Sequence, residues 1–417
     1  MNDGARLPGG ITSPKGFLAG GVAAGVKRSG RPDLAIVLSD REASAAGVFT
    51  TNLVKAAPVL LGMEAIRDRP NAVRGILTVS GTANALTGAE GLDDNRQVLA
   101  AAEGEFGLPA GSLLPACTGV IGTRIPVDRV VRALPSLHGS VASGPEGGEP
   151  AAHAILTTDT RTKQAAVRVR LRDGVVVRVG GMAKGSGMIA PRLAPPHATA
   201  LAYLTTDATA SPKGLATILE RGVESSFNMI TVDGDTSTND TVYLLANGAA
   251  GGESADRDPA FIEAVDTVLR SLARQVARDG EGATKLLSVT VAGARSLSEA
   301  RAAARAVAGS MLVKAALFGA DPNVGRIAAA LGHSGARLDP ERLDISLERP
   351  RGAIPLITDG RPARALDNGA GMRIRDLLRQ LDEVPITVRL HEGKAHATAW
   401  GCDLSYAYVQ INAAYRT

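Results

Sequence analysis

The sequence predicts an α/β protein in which mixed sheets pack against helices. Three observations lead there. Short apolar runs closed off by glycine or charged residues recur at Leu34–Leu38, Gly47–Thr50, Arg74–Ser80 and Leu286–Val291, and read as strands. Apolar residues alternate on both sides of Arg172-Asp173-Gly174, over Val167–Leu171 and Val175–Val179, the pattern of a hairpin around an Asp-Gly turn. Between strands, Pro259–Arg278 puts Phe261, Val265, Val268, Leu269, Leu272 and Val276 on one helical stripe.

The remaining elements follow in chain order. Residues 1–15 read as a loose entry arm, and the charged residues between Leu38 and Gly47 as a turn between two strands. A helix is expected near the end of Asn52–Arg67. Gly81–Gly88 is a turn-rich loop at a strand end, a usual place for function. Asp93–Phe106 reads as a helix stopped by Gly107. Leu113–Gly122 gives a short strand running into a Thr-Gly turn. Ser140–Pro150, rich in Gly, Ser and Pro, reads as a surface loop. Pro212–Ser226 has helical spacing. Thr231–Thr241 is a polar turn; its carboxylates lack the spacing and closing Glu of a calcium loop. Val242–Asn247 is a strand or a helix. Ser296-Leu297-Ser298-Glu299 is a capping box before an Ala-rich helix, and Asp321–Arg326 opens another helix. Strands near Leu343–Leu347 and Ile386–Leu390 lead to a final hairpin.

At 417 residues the chain has room for two or three domains or one large unit. Apolar residues make up 45% but aromatics only 3%, so small aliphatic side chains must fill the core. The 48 glycines point to many tight turns. A net charge of +4 with so few aromatics argues against a nucleic-acid binder. Cys117 and Cys402 suggest neither a disulfide framework nor a metal cluster. His391 and His396 flank Glu392; a solvated hairpin is favoured there over a zinc site. With no apolar leader and no apolar run near 18 residues, the reading is a soluble cytoplasmic protein.

The most informative stretch is Gly180–Asp207, GGMAKGSGMIAPRLAPPHATALAYLTTD. A glycine-flanked lysine, Lys184, is followed by a Pro-rich link, the pair Ala198-Thr199 and an apolar run. Cleavage of the Ala198–Thr199 bond would give Thr199 a free α-amine beside its hydroxyl. An α-amine ordinarily titrates at about 7.7–8.0 and can activate that hydroxyl as a nucleophile. Spacing alone favours a turn entering a buried strand or helix.

The stretch resembles the ornithine acetyltransferases, the bifunctional glutamate N-acetyltransferases. The resemblance runs through Gly181–Ile189, Ala198-Thr199, Thr205–Ala208, the Thr118-Gly119-Val120-Ile121-Gly122 loop and Ala154–Thr160, and covers nearly the whole chain. It implies a layered sandwich of sheets and helices, similar to that of the related aminopeptidases. It also implies self-cleavage into an α chain, 1–198, carrying the oxyanion loop, and a β chain, 199–417, carrying the nucleophile and the C-terminal substrate-binding segment. Thr199 would attack the acetyl carbonyl of N²-acetylornithine, Thr118 and Gly119 would hold the oxyanion, and glutamate would accept the acetyl group. Thr157, Thr158, Lys184, Glu281, Asn412 and Thr417 would bind substrate with Thr199. No metal or cofactor is implied, with acetyl-CoA an alternative acetyl donor. The chains would associate as α2β2, without nucleic acid or membrane. Several positions depart from the family pattern. The link before Thr199 is longer and holds Pro191, Pro195 and Pro196; His197 and Ala200 stand where methionine is usual; Thr82 replaces an asparagine and Val324 a tryptophan. These departures leave open a specialised acyltransferase of secondary metabolism, a threonine-dependent amidohydrolase or aminopeptidase, and an uncut binding protein.

Overall fold

The computed structural model describes residues 5–7, 10–190, 193–194, 200–364 and 370–414. It contains two compact units. The first comprises residues 1–185, 191–228 and 235–273; the second comprises 186–190, 229–234 and 274–417. The units do not follow the 198/199 division, because strands from both sides of it share the first unit's sheet.

In the first unit the chain forms β1 (Ala5–Arg6), β2 (Phe17–Val22), β3 (Leu34–Thr50), α1 (Ala57–Asp68), β4 (Val73–Thr82), α2 (Gly88–Glu105), β5 (Leu113–Val120), α3 (Val127–Ser140) and α4 (Gly144–Ala154). It continues through β6 (Lys163–Arg170), β7 (Val176–Lys184), β8 (Leu193–Ala194), β9 (Leu201–Thr206), α5 (Pro212–Glu224), β10 (Thr241–Ala246) and α6 (Pro259–Arg278), whose residues from 274 on are counted with the second unit. Among the described residues the sheet runs β1-β6-β7-β9-β10-β3-β4-β5, with β2 and β8 also paired to β3. The Asp-Gly hairpin is β6–β7, with Val167 opposite Val179.

Four expectations are corrected here. Asp40-Arg41-Glu42 is not a turn. It is an exposed stretch within one long strand, β3, which pairs with β2 and β4 before it and with β10 after it, where Ala43 also pairs with Val73 of β4. The entry arm is anchored from residue 10 onward: Ile11 is buried and its carbonyl accepts from Thr205 Oγ1 at 2.5 Å. Gly180 permits this, since a Cβ there would fall 2.0 Å from Gly10 O. Helix α2 begins at Gly88, earlier than its apolar pattern, because Asn84 Nδ2 donates to Gly91 O (2.8 Å) and Asn84 Oδ1 accepts from Thr87 Oγ1 (2.9 Å). Finally, residues 144–154 form helix α4 rather than a surface loop. Pro145 suits the first turn, where its missing N–H is harmless. The glycines serve close packing: a Cβ on Gly147 would lie 2.0 Å from Ala142 O and 2.4 Å from Ala19 O, and one on Gly21 would lie 2.3 Å from Pro150 O.

Few aromatics are needed because two large side chains sit centrally. Tyr203 on β9 and Tyr243 on β10 are partners in a parallel register and lie with ring centroids 6.2 Å apart. Each buried hydroxyl is satisfied, Tyr203 with Thr78 Oγ1 at 2.8 Å and Tyr243 by donating to Pro115 O at 3.1 Å. The ambiguous 242–247 run is therefore a strand, buried along its length.

The second unit contains β11 (Leu286–Ala294), α7 (Leu297–Gly309), α8 (Met311–Phe318), α9 (Val324–Gly332), β12 (Asp344–Leu347), β13 (Ile354–Thr358), β14 (Arg361–Pro362), α10 (Ala370–Gln380), β15 (Glu383–Arg389), β16 (Ala395–Cys402) and α11 (Tyr406–Ala413). Its sheet order, among the described residues, is β14-β13-β12-β15-β11-β16. The expected final hairpin is corrected: β15 and β16 do not pair, because β11 lies between them, parallel to one and antiparallel to the other. His391, at φ +57°, turns the chain and places Nε2 2.7 Å from Asp344 Oδ2. Half of the capping box forms: Ser296 Oγ accepts from Glu299 N at 3.2 Å, while Glu299 Oε2 takes the Arg337 N–H instead. No helix among the described residues is long and apolar enough to cross a membrane.

The packing of α4 sets two effects against each other. Alanine for glycine inside a helix gains about 1 kcal/mol of propensity, whereas overpacking costs about 1–3 kcal/mol. At Gly147 the obstacles are carbonyl oxygens of the main chain, which cannot rotate away. Gly147→Ala should therefore lower the urea midpoint; a raised midpoint would show that α4 is not packed this tightly.

Candidate active site

In the first unit the site forms where the parallel strands β4 and β5 end. Their register breaks there: Gly81 faces Gly119, and Thr82 faces both Thr118 and Val120. Such a break kinks a strand and re-aims its side chains. Gly119 has φ +136°, and a Cβ on it would lie 2.4 Å from the Gly81 carbonyl carbon, so only glycine fits. Asn239, a buried residue that the sequence reading missed, ties the two strand ends together. Its Nδ2 donates to Cys117 O (2.9 Å) and to Ala83 O. The Ser-Thr-Asn-Asp run around it was visible in the sequence, but its target lies more than a hundred residues away.

Lys184 ends β7 and is 8% exposed. It is not a surface lysine: its Nζ donates to Thr118 Oγ1 at 3.1 Å. A hydroxyl that accepts from an ammonium keeps its own proton to donate elsewhere. Asp159, also unpredicted, is the hub beside this pair. Its Oδ1 accepts from Lys163 Nζ at 2.6 Å and from Gly185 N at 2.7 Å, and its Oδ2 from Thr157 N at 3.0 Å. The side chains of Asp159 and Lys163 are fully enclosed. Burial acts to raise the Asp159 pKa, but the Lys184 and Lys163 charges and the hydrogen bonds from Lys163 and Thr157 outweigh it. The carboxyl is held well below its ordinary range. One carboxylate thus fixes the loop bearing the half-buried Thr157 and Thr158 and the turn after Lys184.

The strand register adds the approach to position 199. Lys184 is opposite Leu201, the first residue of β9, and Ala200 O accepts from Thr241 N at 2.8 Å. Ala198, Thr199 and Thr417 lie outside the described residues.

The second unit holds two further predicted residues and brings them together. Glu281 lies in the loop before β11 and is 5% exposed, so it is not a solvated loop acid. Asn412 on α11 donates from Nδ2 to Glu281 Oε2 at 2.7 Å. Glu281 N donates to Ser186 O at 3.0 Å, and a Cβ on Gly187 would fall 2.3 Å from the Glu281 carboxylate. Gly187 therefore allows the segment to lie directly against this acid. The buried thiol of Cys117 is pushed up to about 12 by burial, out of reach of nucleophilic chemistry near neutral pH. No group of His, Cys, Asp and Glu able to hold a metal occurs among the described residues.

An ammonium-bound hydroxyl beside a glycine main chain at a strand end has the chemistry of an acyl-transfer site, where donors must meet a developing oxyanion. The sequence pattern of the ArgJ family matches residues 18–417. The arginine biosynthesis bifunctional protein ArgJ of Symbiobacterium thermophilum is 48% identical over 417 residues, 99% of each chain. That of a Synechococcus species is 45% identical over 423 residues, covering 99% of this chain and 98% of its own. The crystal structure of the ArgJ protein of Bacillus halodurans is 41% identical, with a TM-score of 0.47, and covers 50% of this chain and 96% of its own. The chain belongs to the ArgJ family. It is an acetyltransferase of arginine biosynthesis.

The Asp159 cluster makes the protein's stability depend on pH. A carboxyl whose folded pKa is depressed contributes stability that is complete above its unfolded pKa of about 3.9 and is lost as pH falls through the folded value. Removing one partner of a buried pair costs about 3–5 kcal/mol. Asp159→Asn should therefore melt well below the parent at pH 7, with the gap narrowing as pH drops below about 4. A gap that does not change with pH would mean the carboxylate charge is not what stabilises the fold.

Proposed function

We propose that the chain cuts itself between Ala198 and Thr199 and then carries an acetyl group from N²-acetylornithine to glutamate as an ester on Thr199. The β7–β9 register supports this reading most directly. It sets Lys184, whose ammonium rests on Thr118, opposite a residue only two positions beyond the new N-terminus.

In the first half-reaction the Thr199 hydroxyl attacks the acetyl carbonyl and its proton passes to the Thr199 α-amine. The tetrahedral oxyanion is held by the Thr118 hydroxyl and the Gly119 N–H. The C–N bond breaks, the α-amine returns the proton, and ornithine leaves. In the second half-reaction glutamate's amine attacks the ester and releases Thr199. Two acyl steps replace one difficult amide exchange. Lys184 keeps Thr118 oriented and binds a substrate carboxylate with Thr157 and Thr158. Glu281, held by Asn412, takes the distal ammonium of ornithine, and Thr417 completes the pocket. Acetyl-CoA serves as an alternative donor to the same threonine. The two fragments remain associated as α2β2 in the cytoplasm.

Purified protein should run as two fragments on a denaturing gel, the second beginning at Thr199, and Thr199→Ala should remain whole. A different new N-terminus would refute the assignment. In cleaved protein, Thr118→Ala should lower acetyl transfer by about 10²–10³, the usual effect of losing one oxyanion donor. Unchanged turnover would reduce Thr118 to a turn residue.

A further inference from the structure

Residues 23–33 join β2 to β3 in a loop closed on itself by Asp33. The buried Asp33 carboxylate accepts the N–H of Ala24 at 2.6 Å through Oδ1, and those of Val26 and Lys27 at 2.6 and 2.8 Å through Oδ2. Gly30 N donates to Lys27 O at 3.2 Å, with Gly25 and Gly30 at φ +77° and +70°. A carboxylate so fully used by main chain fixes the loop's shape.

The loop brings two cations beside the strand-end break and the Thr157 loop. A Cβ on Gly81 would lie 3.1 Å from Lys27 Cγ, so the lysine stem runs beside the strand-end break that Gly119 abuts. Lys27 Nζ donates to Pro32 O at 2.6 Å and, more distantly, to Ala154 O at 3.4 Å, the carbonyl that also accepts from Ser80 Oγ. Arg31 donates from Nη2 to Thr157 O at 3.2 Å and from Nε to Ser29 Oγ at 3.3 Å. These contacts are to carbonyls and a hydroxyl; among the described residues neither cation has a carboxylate partner at ion-pair distance. The two carboxylates nearby are committed, Asp33 to the loop's N–H groups and Asp159 to Lys163, Gly185 and Thr157. Lys27, Arg31, Lys163 and Lys184 therefore outnumber the acids around the site.

We propose that Lys27 and Arg31 form a second carboxylate subsite beside Lys184, which holds the carboxylate that glutamate has and ornithine lacks. The inference rests on the acyl-transfer reading above. Donor and acceptor each carry an α-carboxylate, for which Lys184 suffices. Only the acceptor brings a second negative charge, while the donor and the departing ornithine both bring a distal ammonium, which this pair repels. One cation cluster thus favours the incoming amino acid over the outgoing one, by attraction and by repulsion together.

Lys27 supplies a readout of its own. Burial lowers its pKa, Asp33 raises it, Arg31 and Lys184 lower it and Asp159 raises it, leaving it at about 8. A bound carboxylate favours the charged form and restores the proton.

The test compares the wild type with Lys27→Met and Lys27→Arg, all confirmed as cleaved. Lys27→Met should raise the KM for glutamate about tenfold relative to that for acetylornithine, the scale of one charge-assisted contact. Lys27→Arg should restore the ratio, because arginine keeps the charge, and should flatten its rise above pH 8. In calorimetry at pH 8, glutamate binding to the wild type should take up more protons than binding to Lys27→Met. An equal rise in both KM values would assign the lysine to the shared α-carboxylate and overturn the proposal. So would an unchanged ratio together with equal proton uptake. A wild type that releases no ornithine from acetylornithine would sink the acyl-transfer reading instead, and the calorimetric difference would still decide the subsite.

Discussion

The carboxylate of Asp159 is shut away from water and receives the Lys163 ammonium and the N–H groups of Gly185 and Thr157. An isolated charge in such a place is prohibitively costly; paired and hydrogen-bonded, it becomes a fixed point. Three pieces of chain meet on it: the loop carrying Thr157 and Thr158, the first residue of β6, and the turn that follows Lys184. The Lys184 side chain adds its charge to this balance and spends a hydrogen bond on Thr118. The orientation of the Thr118 hydroxyl therefore depends on a carboxylate that makes no bond to it.

Such closeness is possible because so many residues here are small. Gly119 lies against the main chain of Gly81, Gly180 against that of Gly10, and Gly147 against that of Ala19 and Ala142. At each of these positions even a methyl group would strike a backbone atom. The glycine content and the scarcity of aromatics are thus one property: main chain packs on main chain, and a few buried aromatics, Tyr203 and Tyr243 with Phe17, Phe49, Phe227 and Phe261, suffice for the core. The second unit uses the same device, Gly187 allowing its segment to lie on the Glu281 carboxylate.

Charge sets the chemistry of both units. In the first, cations exceed the acids free to answer them, as suits anionic groups on a substrate. In the second, a nearly buried acid is oriented by Asn412, as suits a cationic group.

The sequence by itself determined the class and most of the parts. Periodicity identified the β6–β7 hairpin and helices α5 and α6, since local patterns reflect local geometry. Motif order carried the family, and with it the expectation of site roles for Thr118, Lys184, Glu281 and Asn412; of these Thr118, Lys184 and Glu281 are buried and Asn412 is exposed. What it could not determine were relations across long separations. Asp159 reads as one polar residue among threonines until its partners at 163 and 185 fold onto it. Asn239 reads as part of a turn until it reaches Cys117. Residues 140–150 read as a loop because glycine and proline oppose helix in isolation, and only packing against β2 turns them into advantages. The crossing of β11 between β15 and β16 left no local trace, because strand order is decided by which edges remain open when the sheet assembles. Tertiary structure alone decided these, since each depends on atoms that meet only after the chain has folded.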